Sequence, residues 1–146
     1  EFVETVTLTG TTDSTSTLPT DSNLIMLVFD EVVSTGGTLG LRFNGNSGAV
    51  YEYTTLAATT LANANGQTSI ILSDTAGEHL SGSIVFSRVE TVSDRHPVTM
   101  DLSTGITADT MCLFGGWITD GAITTADLVG VTALTGDVHV FKLSKQ

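Results

Sequence analysis

A single cysteine in 146 residues has no partner within the chain, so no internal disulfide holds this protein and its fold requires no oxidising compartment. Cys112 stands in the run Met111-Cys112-Leu113-Phe114, the setting of a buried structural thiol, and its neighbours offer no base to make it a nucleophile. Basic residues are nearly as scarce. Five Lys and Arg face 16 Asp and Glu, a formal net charge of -11, so the clustered cations that grip nucleic-acid backbones or anionic membranes are missing. That acidity reads as solubility and mutual repulsion between free copies. The longest apolar run, Leu24 to Phe29, is far too short to cross a bilayer as a helix, and no signal-peptide pattern opens the sequence. No segment has a convincing amphipathic helical period.

What the chain does have is short alternating segments between clusters of Gly, Asp, Asn and Thr. Phe2 to Thr9 has strand character, and the Thr/Ser/Asp tract Thr11 to Asp21 reads as a surface loop. Leu24 to Val33 is apolar on both faces, which predicts a central strand covered on each side. Leu39, Leu41 and Phe43 alternate with Gly40, Arg42 and Asn44, and Tyr51 and Tyr53 resume the alternation after a polar corner. Thr54 to Asn65 predicts a short helical turn or an irregular connection. Strands follow at Gln67–Ser73, at Leu80–Phe86, where Gly82 signals a bulge or a close backbone approach, and at Val98–Leu102 and Met111–Thr119. Asp120-Gly121 signals a hairpin turn into Ala122–Val131, and Gly136–Leu143, apolar on both faces, belongs inside a sheet. Eight to ten short strands without helices predict one all-β domain over residues 1–146, an antiparallel β-sandwich, with no fixed-period repeat of a propeller or solenoid.

Catalytic readings are weak. Gly45-Asn46-Ser47-Gly48 resembles the surroundings of a serine-protease nucleophile, but Asn replaces the Asp, no matching histidine segment exists, and the chain is short for two barrels. The structural reading, a Gly-rich corner joining two strands, is favoured, with Gly48 expected at positive φ and Ser47 dispensable. His79, His96 and His139 lack metal-ligand spacing, and the pairs Asp30-Glu31, Asp74 with Glu78 and Asp94 with Asp101 lack the density of a calcium loop. No carboxylate pair is brought together as a glycosidase requires. The expectation is a non-enzymatic protein without metal or cofactor.

The stretch Phe43-Asn44-Gly45-Asn46-Ser47-Gly48-Ala49-Val50-Tyr51 resembles the corner that recurs in small jelly-roll structural proteins of tailed bacteriophages, where Asp usually stands at the position of Asn46 and Asn at that of Val50. The segment Ala122 to Leu143 is similar to the closing strands of the same family. The resemblance implies a jelly roll and a virion location. It implies a capsid decoration or cement protein, trimeric on the particle, whose partners are the major capsid protein and copies of itself. Thr11–Asp21 or Asn44–Gly48 would then contribute contacts, as loops at the ends of a sandwich are its free surface. A tail-associated protein is the alternative within that family. A carbohydrate-binding module is the alternative outside it, with Tyr51, Tyr53 and Trp117 as its only aromatic platform for a sugar.

Overall fold

The computed structural model describes residues 1–57, 60–89, 95–104, 111–118 and 121–143, of which 55–57, 60–62, 95, 104 and 111–118 are described by their backbone alone. Among the described residues there are twelve strands and no helix. They are β1 (Phe2–Thr7), β2 (Thr12–Ser14), β3 (Leu24–Ser34), β4 (Leu39–Phe43), β5 (Tyr51–Ala57), β6 (Thr60–Gln67), β7 (Ile70–Ser73), β8 (His79–Ser87), β9 (Arg95–Thr104), β10 (Met111–Ile118), β11 (Ala126–Gly130) and β12 (Leu134–Leu143). All pairings are antiparallel, in an eight-stranded sheet ordered β1-β12-β3-β8-β9-β10-β5-β6 and a four-stranded sheet ordered β2-β11-β4-β7.

The two sheets bury their alternating apolar positions against each other, which makes the molecule a β-sandwich. The large sheet contributes Ile25, Leu27 and Phe29 from β3, Leu80, Ile84 and Phe86 from β8, and Val138 and Val140 from β12. The small sheet answers with Leu39, Leu41, Phe43, Ile70, Leu72 and Leu128. Contact across the layers is direct, the rings of Phe43 and Phe86 lying 4.8 Å apart. At roughly 25 cal/mol per Å² of apolar surface removed from water, this two-sided layer is the principal source of stability.

Several expectations change here. Thr54–Asn65 is neither helical nor irregular where described: β5 runs on to Ala57 and pairs with β6 as a hairpin. Isolated propensity misleads there because Ala, Leu and Thr accept a strand once a partner is beside them. The Thr11–Asp21 tract contains β2, which pairs with β11. Asp120-Gly121 does not close a hairpin, since β10 lies in the large sheet and β11 in the small one; Asp120 itself is outside the described residues. Central placement is right for β3 and β12, but β3 is fully covered on one side only, with Met26 and Val28 half-buried on the other.

Candidate functional site

The corner between β4 and β5 is built by main-chain geometry that few residues accept. Asn44 and Gly45 have φ of 54° and 66°, and Asn46 N–H donates to Phe43 O at 3.0 Å, closing a tight turn with both central residues left-handed. Asn46 Oδ1 then accepts Gly48 N–H at 2.8 Å, and Val50 N–H donates to Gly48 O at 2.9 Å. Positive φ therefore falls on Asn44 and Gly45. The expectation for Gly48 is wrong, because the reversal is complete before the chain reaches it.

Each polar side chain of this turn is spent on holding neighbouring backbone. Asn44 Oδ1 accepts from Thr124 N (2.7 Å), Thr125 N (3.1 Å) and Thr124 Oγ1 (3.0 Å), while Asn44 Nδ2 donates to Ala122 O at 3.1 Å. Gly45 N–H donates to Asp127 Oδ2 at 2.7 Å, and the other oxygen of that carboxylate accepts Ser14 Oγ at 2.6 Å. Asp127, buried on β11, thus ties β2, β11 and the corner together. Its sequence signal was slight, one acid inside the apolar run Ala126 to Val129.

Tyr51 completes the corner from beneath. It is fully buried, its hydroxyl accepts Phe43 N–H at 2.9 Å and donates to Asn46 O at 2.9 Å, and its ring leans on Phe43 with centroids 6.4 Å apart. Burial pushes the Tyr51 hydroxyl up to about 12. The structure thus brings Phe43, Asn44, Gly45 and Tyr51 into one bonded unit, leaves Ser47 and Gly48 at its exposed rim, and packs Val50 against the core. With its polar groups engaged internally, the corner is a brace. No catalytic pair is assembled in it.

Of the three aromatics weighed as a sugar platform, Tyr51 and Tyr53 are used in packing. Tyr51 is inside the core and offers no face to a ligand. Tyr53 is half-buried against the core, its hydroxyl pushed up by burial and further by the carboxylate of Asp74. Trp117 is the register partner of Tyr51 and His96, and its side chain, like that of Cys112, lies outside the described residues. Among the described residues no group of His, Cys, Asp and Glu is placed to hold a metal ion.

A surface that sequence reasoning passed over lies on the outer face of the large sheet. Antiparallel register sets Phe2 beside Phe141, Phe141 beside Met26, and Met26 beside Val85, a row crossing β1, β12, β3 and β8. Leu24 and Leu143 face each other at its end. All six point away from the core positions that alternate with them, and all are half-buried or exposed, Phe2 at 55% and Leu24 at 45%. Phe2 and Phe141 meet edge to face at 5.7 Å. The signal was present in the two-faced apolarity of Leu24–Val33 and Gly136–Leu143, which predicts central strands equally well. A row like this can dock a protein surface; it holds no reactive group.

Compared with known proteins, the chain matches no protein-family model and no curated protein.

Proposed function

We propose that this is a non-enzymatic structural protein of a phage virion, a decoration or cement protein that binds the outside of an assembled shell and stabilises it. The observation that carries the reading is the apolar row Phe2, Phe141, Met26 and Val85, outward-facing on the large sheet, since continuous apolar surface on a protein of net charge -11 is suited to a protein partner. Strand order supports the jelly-roll part of the proposal. β1, β2, β3 and β4 alternate between the sheets, as do β7, β8, β11 and β12 after the two inner pairs. The resulting orders β1-β12-β3-β8 and β2-β11-β4-β7 are those of eight strands wound as two Greek keys. In this reading β5–β6 and β9–β10 are insertions that widen one sheet. The corner resemblance supplies the phage context.

The energetics are those of mass action. A ligand that binds only the assembled shell stabilises it by about 2.7 kcal/mol per site at a hundredfold excess over its dissociation constant. The test uses particles stripped of the protein and then re-decorated. Re-decorated particles are expected to rupture at higher temperature than stripped ones, and the variant Met26→Glu, which puts a charge into the apolar row, is expected to fold yet fail to bind. Equal rupture of stripped and decorated particles, with labelling confined to the tail, would replace the cement reading with the tail-associated one.

A further inference from the structure

The sequence holds two Asn-Gly pairs, Asn44-Gly45 and Asn65-Gly66, and the fold sets them in opposite circumstances. Asn44 has its side-chain amide fixed by four hydrogen bonds, and the Gly45 nitrogen that would have to attack that amide is committed to the Asp127 carboxylate. Asn65 is exposed, at the point where β6 slips out of register. Tyr51 opposes Gln67 and Tyr53 opposes Ala64, so Asn65 and Gly66 have no register partner on β5. The backbone carbonyl of Asn65 accepts Gln67 Nε2 at 2.9 Å, but among the described residues its side-chain amide takes part in no hydrogen bond. Gly66 is exposed as well, with φ of 62° and open space where a Cβ would stand.

We propose that Asn65 is a site of spontaneous deamidation and that Asn44 is protected from it by the fold. The Gly66 nitrogen attacks Cγ of Asn65; a C–N bond forms as the Cγ–Nδ2 bond breaks, and the displaced Nδ2 leaves as ammonia with the Gly66 proton. One water then opens the succinimide at either carbonyl, giving aspartate or isoaspartate. No oxidant, reductant or cofactor enters, and asparagine is among the residues that limit chemical durability. The consequence falls on an edge. β6 is the last strand of the large sheet, and from Tyr53 to Ser73 the sequence contains no charged side chain, so the new carboxylate is the only charge in that stretch. Charge on an edge strand opposes its pairing with another chain, and the extra methylene of isoaspartate breaks the ladder spacing as well.

Peptide mapping of the folded protein, aged at physiological temperature and mildly alkaline pH, tests this. Amide-to-acid conversion is expected at Asn65 at least roughly tenfold faster than at Asn44, because Asn44 must first open locally. In concentrated urea the two sites should convert at similar rates. Asn65→Gln, an exposed substitution that keeps the fold, should abolish the acidic species seen on ion exchange. Conversion of Asn44 as fast as Asn65 in the folded protein, or an intact Asn65 there while both convert in urea, would overturn the proposal.

Discussion

At the scale of single residues, the corner separates side chains that look alike in sequence. Asn44 and Ser47 are both exposed polar residues of one loop, yet Asn44 holds four hydrogen bonds and a left-handed backbone, and Ser47 sits at the rim. Asn44→Ala is expected to cost about 2 kcal/mol and Ser47→Ala less than about 0.5 kcal/mol, measured by urea unfolding. Tyr51→Phe removes the buried hydroxyl that accepts Phe43 N–H and donates to Asn46 O, at a cost of about 1 to 3 kcal/mol. Its pH dependence follows from the raised pKa. A phenol at 10.0 when unfolded and about 12 when folded favours the native state fully below pH 10, and that contribution is lost as pH climbs towards 12. Stability should fall by up to roughly 3 kcal/mol over that window, and this component of the alkaline loss should be missing in Tyr51→Phe.

At the scale of strands, the large sheet carries pairing irregularities set side by side. The pairing of β3 with β8 shifts between Phe29 and Val32, where Glu31 has φ of 51°, and the pairing of β12 with β3 shifts between Thr135 and Asp137. Gly136 (φ 102°) lies against this bulge: a Cβ there would come within 2.5 Å of Glu31 O. On the other flank of β3, Gly82 (φ 135°) would put a Cβ 2.2 Å from Asp101 O, bearing out the close backbone approach expected at that glycine. Backbone cannot yield as a flexible side chain does. Gly82→Ala and Gly136→Ala are therefore each expected to destabilise by roughly 3 kcal/mol or more, whereas Gly77→Ala, at φ of 75° but in open space, should cost about 1 kcal/mol. Thermal unfolding of the three variants in parallel checks the order.

At the scale of the whole molecule, charge and apolar surface oppose each other. A net charge of -11 drives free copies apart, while the outer face of the large sheet and its edges β1 and β6 invite contact. Added salt screens the first and leaves the second, so association is expected to rise with ionic strength. Sedimentation velocity across a salt series measures it, and one unchanged species at every salt and protein concentration would remove charge from the account.

Much of this architecture was legible in the residues themselves. Alternation at Leu39–Phe43 and Leu80–Phe86, and the two-faced apolarity of β3 and β12, located strands and put β3 and β12 inside a sheet, because burial of alternate side chains is a local property of a strand. The Asn/Gly corner announced a reversal for the same kind of reason, since left-handed backbone favours those residue types. Other features depended on partners distant in the chain. Asp127 braces a loop 82 residues away, β5 and β6 became a hairpin in place of a helical turn, and β10 and β11 parted into different sheets. The outer apolar row exists only because antiparallel register aligns Phe2 with Phe141, Met26 and Val85. Local sequence determined that Leu24–Val33, Leu39–Phe43, Leu80–Phe86 and Gly136–Leu143 extend and that the chain turns at Asn44-Gly45, through steric and burial preferences of neighbouring residues. Tertiary structure decided which strands pair and which polar groups meet, because those contacts lower the free energy only when the whole sandwich closes.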